Sequence, residues 1–323
     1  MPSCAPARAR RSWQAAPLVL LLAACAAACT PAGPPDRTGT APAASSHSPA
    51  AGPVAVQISQ RRGQEAKRRF ILQVANTSGR PLVIEAAAVR SVLYDGDAAW
   101  VPVRAGGTRL GPGRTVSLAV DLPAPHCRPP ESSSAPPRSD AAEPGPEAGA
   151  VLTVDGGSGP ARLQVAAPDP FGVLARSHNQ DCLAEAVGRI ASLSLDPQLK
   201  RAGSRTARSA IVSVRIVPAG GTGTLSIESP APTTLLGEDP DHPWPRGIVV
   251  AGRDAPRTLE LHIVPARCDA HAVAEDRLGT KLPLRLTAGG YRGVLRLEPP
   301  PELARAVYSF ITAACRTRQD GGQ

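Results

Sequence analysis

Two stretches of this chain repeat one another from a strand to a cysteine, and that repetition restricts the fold more than any other feature. Arg114-Thr115-Val116-Ser117-Leu118-Ala119-Val120 runs through Pro123-Ala124-Pro125-His126 to Cys127. Arg257-Thr258-Leu259-Glu260-Leu261-His262-Ile263 runs through Pro265-Ala266-Arg267 to Cys268. Both alternate apolar and polar side chains, as a strand burying one face does, and both break at proline before the cysteine. Downstream, Arg162 to Val165 precede Pro170, Leu174-Ala175-Arg176 and Cys182, while Val294 to Leu297 precede Pro301, Leu303-Ala304-Arg305 and Cys315. Upstream, Phe70 to Val74, the turn Asn76 to Gly79, and Leu82 to Ile84 match Ile211 to Val217, Gly220 to Gly223, and Leu225 to Ile227. The lead strands pair Val54, Val56 and Ile58 with Ile190, Leu193 and Leu195.

Each half therefore offers about seven short strands between Pro, Gly and Asp turns, the pattern of an antiparallel sandwich. Asn76-Thr77-Ser78-Gly79 and Asp95-Gly96-Asp97 supply residues that tolerate positive φ in hairpins. The expectation is an all-β chain of two tandem Ig-like or fibronectin-III-like sandwiches, residues 54–187 and 188–318, with a tail at 319–323. Residues 128–149, mostly Pro, Ser, Ala and acids, are expected to be a disordered insertion in the first sandwich. Pro301 to Ser309 and Asp269 to Asp276 suit helical turns near each cysteine. Aromatic residues make up only 3% of the chain, so Val, Leu, Ile and Ala must build the cores.

The N-terminus carries an address. Arg8, Arg10 and Arg11 precede an apolar run from Ala15 to Ala24, too short to span a bilayer and ending in small residues. Leu22-Ala23-Ala24-Cys25 resembles a bacterial lipobox, which implies a signal peptide over residues 1–24 and a lipid (diacylglycerol, palmitate) on Cys25. Cys29 after Ala26-Ala27-Ala28 is the alternative anchor, and ordinary cleavage near Ala28 would leave a secreted protein. Residues 25–53, rich in Pro, Ala, Ser, Thr and Gly, read as a disordered spacer. The expected location is the extracytoplasmic face of the cell membrane.

Export places the cysteines where disulfides persist. The repeat selects Cys127–Cys182 and Cys268–Cys315, one bridge per sandwich, out of three pairings of four cysteines. Closing loops of about fifty residues contributes roughly 4 kcal/mol each in the chain-entropy model. If Cys25 is lipidated, Cys29 is left over; if Cys29 is, none is. A metal reading of the same residues uses Cys268 with His271, His178 with Cys182, and His126 beside Cys127, but splits its ligands between the repeats. Glu238, Asp239, Asp241 and His242 before Pro243-Trp244-Pro245 lack a calcium loop's spacing and read as a solvated loop with tryptophan on a core edge. No metal and no cofactor are therefore expected.

Without residues 1–24 the chain loses three arginines and no acid, leaving 33 basic against 27 acidic residues. That mild excess is spread out, which argues against a nucleic-acid partner. Arg61-Arg62 and Lys67-Arg68-Arg69 form the densest basic run. They could meet an anionic polymer or headgroup, or simply guard a strand edge. No G-x-S-x-G, Ser-x-x-Lys, H-E-x-x-H or phosphate loop occurs, and Gly220-Gly221-Thr222-Gly223 reads as a turn, so no catalytic residues and no enzyme activity are expected.

Cys268-Asp269-Ala270-His271-Ala272-Val273-Ala274-Glu275-Asp276, followed by Gly279-Thr280-Lys281, resembles a segment of uncharacterised secreted proteins and lipoproteins of actinobacteria. Arginine far outnumbering lysine, with abundant Ala, Pro and Gly, agrees with such a source. The resemblance implies an envelope-associated β protein and brings no activity with it. Asp269, His271, Glu275 and Asp276 gather polar groups near a bridge, as a ligand site or as a capped turn. The reading is a membrane-anchored protein that binds a cell-envelope polymer or a protein partner. Its alternative is an enzyme or metal-handling protein centred on Asp269, His271 and Glu275.

Overall fold

The computed structural model describes residues 52–61, 64–103, 105–127, 148–202, 209–269 and 279–320. In the first sandwich, β1 (Val54–Ser59), β2 (Arg69–Asn76) and β6 (Thr115–Asp121) form one sheet in the order β1-β2-β6. Facing it are β3 (Leu82–Arg90), β4 (Ala98–Trp100), β7 (Gly149–Asp155) and β8 (Pro160–Ala166) in the order β4-β3-β7-β8. The short β5 (Thr108–Leu110) also pairs with β3. All pairings are antiparallel, and inward residues such as Ile58, Phe70, Leu72, Ile84 and Leu152 make the core.

The second sandwich repeats this plan. One sheet runs through β9 (Ala191–Leu195), β10 (Lys200–Ala202), β11 (Ser209–Pro218), β13 (Leu236–Glu238) and β15 (Arg257–Pro265). β9 and β10 pair with β11, which pairs with β15. The other sheet has β12 (Thr224–Pro230), β14 (Ile248–Ala251), β16 (Leu282–Ala288) and β17 (Tyr291–Leu297) in the order β14-β12-β16-β17. Strand by strand this matches β4-β3-β7-β8, and β9-β11-β15 matches β1-β2-β6. The chain is thus two antiparallel β-sandwiches in tandem.

Two helices extend the repeat beyond what alternation alone predicts. After β8 comes α1 (Val173–Ile190), and after β17 comes α2 (Pro301–Asp320), much longer than the turn expected at Pro301 to Ser309. Asp169 starts α1: its carboxylate accepts the Val173 and Leu174 N–H groups at 2.8 Å each, satisfying donors the first turn leaves open. The expected boundary at 187/188 falls inside α1, and Ile190, expected to lead the second sandwich, is the helix's last residue. The expected insertion also ends earlier, because Gly149 already opens β7; residues 128–147 lie outside the described residues.

Helix α1 belongs to both cores. Val173 and Leu174 are buried in the first, whereas Cys182, Leu183, Ala186, Val187 and Ile190 are buried in the second. Glycine makes one of these contacts possible: a Cβ on Gly289, at φ +55° in the β16–β17 turn, would lie 2.8 Å from the Ala186 Cβ. Cys127–Cys182 and Cys268–Cys315 are both disulfide-bonded, each joining the segment after β6 or β15 to the following helix. The first bridge is not confined to the first sandwich as expected. Cys182 is fully buried in the second core and Cys127 packs against that core, so this bridge fastens the seam.

Polar contacts reinforce the seam. Tyr94 donates to the Leu174 carbonyl at 3.0 Å, and burial pushes its phenol well above the ordinary tyrosine range. Its ring meets His178 edge-on, and His178 meets Tyr291 of β17 in the same way. Arg68, at φ 49° between the 3₁₀ turn Glu65–Lys67 and β2, donates Nε to Asp181 of α1 at 3.0 Å and Nη2 to the Pro123 carbonyl at 2.5 Å. Within the basic run, Arg69 pairs with Asp121, so two of its cations are committed inside the molecule.

Candidate functional site

Strand β6 closes one side of its sheet, and among the described residues no strand pairs with its outer edge. The Leu122 N–H bonds to the Arg68 carbonyl and the Arg114 carbonyl accepts from Asn76, so even-numbered residues direct their backbone groups at β2. By alternation, Ser117, Ala119 and Asp121 direct theirs outward. Beside this edge, between β6 and β4 of the facing sheet, lies a groove of about 680 Å³. Trp100, Val101, Val103, Val116 and Leu118 line it, with the Arg69–Asp121 pair also at its wall. Val101 and Val103 are 77% and 98% exposed, large values for β-branched apolar side chains.

The matching edge of the second sandwich is closed. There β13 pairs with β15, setting Leu236 against Pro265, Gly237 against Val264 and Glu238 against Ile263. The His262 carbonyl, at the place of Ala119 in the repeat, accepts the Asp239 N–H at 3.2 Å and the Trp244 indole N–H at 2.6 Å. Trp244 is buried in the second core, as expected of a tryptophan over a core edge. Glu238 accepts the Trp244 N–H at 2.6 Å and pairs with Arg246 at 2.7 Å. That guanidinium, followed by the Trp244 N–H, outweighs burial and holds the Glu238 carboxyl below the usual range.

This loop and β15 gather Asp239, His242 and His262, whose ligand-type atoms all lie within 4.8 Å of one another. His242 Nδ1 is 3.3 Å from Asp239 Oδ2, and the two imidazole rings stack with centroids 4.3 Å apart and planes 12° from parallel. Burial pushes the Asp239 carboxyl up, but Ser209, the Asp241 N–H and His242 outweigh it and hold the group below the usual carboxylate range. In the sequence Asp239 and His242 stand together in one acidic segment, whereas His262 lies on a strand with nothing to mark it as a ligand. An Asp-x-x-His turn was visible; that a histidine on an alternating strand faced it depended on register.

Of the residues singled out from sequence, Asp269 is exposed next to Cys268. His271, Glu275, Asp276, Cys25 and Cys29 lie outside the described residues. His178 is close to the Cys127–Cys182 bridge, with Nε2 3.4 Å from Cys182 Sγ and 3.1 Å from the His126 carbonyl, and the bridge occupies both sulfurs. Gly220 to Gly223 is the β11–β12 turn, and Gly221 and Gly223 line a second cleft, of about 880 Å³, with Arg189, Thr222 and Thr287. No described helix is long and apolar enough to cross a membrane.

No family model and no curated protein matches the chain. Among solved structures it is similar to the YadV chaperone, at 12% identity over 76% of this chain and 100% of that one, with a TM-score of 0.22. A second is the CsuC–CsuE chaperone–tip adhesion subunit pre-assembly complex from archaic chaperone-usher Csu pili of Acinetobacter baumannii. It matches at 11% identity over 76% and 95% of the two chains, with a TM-score of 0.19. The calcium binding domain CBD12 of CALX1.1 matches at 9% identity over 75% and 80%, with a TM-score of 0.19. At these scores the likenesses add nothing to the architecture described above.

Proposed function

We propose that this chain is a lipid-anchored, extracytoplasmic binding protein of the cell envelope, of actinobacterial type, whose first sandwich takes up an extended segment of a protein partner along β6. Its role is binding rather than catalysis. The observation that carries this reading is the difference between equivalent edges: β15 is covered by a strand, while among the described residues no strand pairs along the outer edge of β6, which lies beside an apolar groove. Strand addition to such an edge draws affinity from main-chain hydrogen bonds and specificity from pockets for alternate side chains. The internal repeat supports a strand as occupant, because β13 pairs along the equivalent strand, whereas its counterpart around Tyr94 bridges only Pro125 beyond β6. Two disulfides accord with an oxidising compartment, and the lipobox-like Leu22 to Cys25 accords with an anchor.

The test places a photo-crosslinking residue at Ser117 in the membrane-displayed protein and, in a parallel chain, at Glu260. Capture of a partner segment at Ser117 alone, abolished by Ala119→Pro, is the expected result. Equal capture at both positions, or capture that survives Ala119→Pro, overturns the groove. For the anchor, Cys25→Ala should abolish lipid labelling and membrane fractionation; labelling lost only in Cys29→Ala moves the anchor to Cys29.

A further inference from the structure

The closed edge of the second sandwich carries the donors of a metal site. We propose that Asp239, His242 and His262 bind a divalent transition-metal ion of the zinc class through one carboxylate oxygen and two imidazole nitrogens. The three ligand atoms lie within 4.8 Å of one another. Tetrahedral zinc with bonds of about 2.0–2.2 Å holds its ligand atoms roughly 3.4 Å apart, so the set must contract and one of its rings must reorient. Two imidazoles with a carboxylate suit zinc, copper or nickel rather than calcium or magnesium, which prefer all-oxygen shells. Three protein ligands leave a fourth position for water or an exogenous group.

A second observation points the same way. His262 Nδ1 is buried and has no hydrogen-bond partner, a state that native interiors rarely leave unexplained. Its backbone is fixed, since its carbonyl holds both the Asp239 N–H and the Trp244 indole. Asp239 is 9% exposed and therefore well placed as an ordered ligand, whereas His242 is 58% exposed. That contrast matters for the geometry. Near-parallel rings 4.3 Å apart cannot both aim their in-plane lone pairs at one point, so binding requires His242 to turn out of the stack. An exposed loop side chain can do so, while His262 and Asp239 stay in place. The site depends on β13 and the loop after it, and Ala119 stands at the equivalent place in the first sandwich, so the repeat does not supply a second copy.

The experiment uses the disulfide-intact protein purified without a histidine tag and freed of metal with chelator. Zinc alone is titrated by calorimetry and by competition with a chromophoric chelator. The expected result is one zinc per chain and a melting temperature raised by roughly 5–10 °C at about one hundred times the dissociation constant. His242→Ala and His262→Gln should each weaken binding by about tenfold or more, while His126→Ala in the first sandwich leaves it unchanged. Because His242 is exposed, its variant tests the site even if His262→Gln unfolds, which circular dichroism reveals. Absence of zinc binding by the intact protein overturns the proposal. So does zinc binding that His242→Ala leaves unchanged, since the ion would then be held elsewhere, as by the His271 segment.

Discussion

Strands β6 and β15 occupy the same place in the two sandwiches, yet their outer edges are treated differently. β15 is covered by β13, its His262 carbonyl takes two donors, and Trp244 packs behind it. β6 has the same parity of outward backbone groups beside an apolar groove, and the connection that corresponds to β13 bridges only past its end, at Tyr94 and Pro125. The inner strands cannot drift in this way, because a change of register would turn each buried face to water. An edge carries no such constraint. The comparison therefore separates what a duplicated frame must keep from what it is free to specialise: the cores and bridges match, and the edges have become a groove and a histidine cluster.

The largest test of this comparison removes the bridges. Their sequence separations of 55 and 47 residues give nearly equal chain-entropy contributions, about 4 kcal/mol each. Any difference between them then reports location rather than loop length. Replacing Cys127 and Cys182 by alanine should destabilise both sandwiches and weaken the coupling of their unfolding, because Cys182 lies in the second core while Cys127 leads back to β6. Replacing Cys268 and Cys315 should act on the second sandwich first. Urea unfolding followed by hydrogen exchange in each sandwich distinguishes them; identical exchange patterns for the two double variants would contradict a seam role.

Proline then tests the edges. Val264 lies opposite Gly237, two residues along from the pair in which the Asp239 N–H reaches the His262 carbonyl, so its N–H faces β13. Val264→Pro should cost about 2–3 kcal/mol by stranding that ladder position. Ala119→Pro, whose N–H faces outward from β6, should cost less than about 1 kcal/mol, as proline does on open edges. Comparable losses in chemical unfolding would mean that β6 is already covered.

Hydroxyl and indole donors come next. Tyr94→Phe leaves the Leu174 carbonyl at the seam without its donor, and Trp244→Phe removes one of two donors from the His262 carbonyl. Each should cost about 1–3 kcal/mol, with Tyr94→Phe nearer the top because the bond is fully buried. Equal costs would say that the seam and the closed edge are equally demanding.

Much of this was legible in the sequence, and the rest was hidden for specific reasons. Alternation and proline breaks located β1, β2, β3, β6 and β8 with their counterparts β9, β11, β12, β15 and β17, but not β4, β5, β7, β10, β13, β14 or β16, and the order of matching segments paired Cys127 with Cys182 and Cys268 with Cys315. Helix α1 was not anticipated although Leu174, His178, Cys182 and Ile190 keep helical spacing. Its buried face includes His178 and Asn179, which blur the apolar stripe that marks a helix. The uncovered edge could not be read at all, since β6 and β15 have the same alternation and differ, among the described residues, in that β13 pairs along β15 while the Tyr94–Pro125 bridge lies past the end of β6. His262 was likewise invisible as a site residue, because what faces it comes from a turn some twenty residues earlier that only pairing brings near.

The smallest expected effect is in pH dependence, and its sign differs between seam and edge. Burial raises the Asp181 carboxyl despite the nearby Arg68, so its contribution is fully present below the unfolded value of about 4 and is lost as pH rises through the folded one. Glu238 is the reverse: held down chiefly by Arg246, it contributes above the unfolded carboxylate value and loses that contribution as pH falls through its lowered one. Asp181→Asn should therefore gain stability relative to the parent as pH climbs from about 3 to about 7, and Glu238→Gln should lose it over the same range. Urea midpoints measured across that range give both slopes. Slopes of the same sign would mean that Arg68 stabilises the seam carboxylate more than burial penalises it, and seam and edge would then answer acid alike.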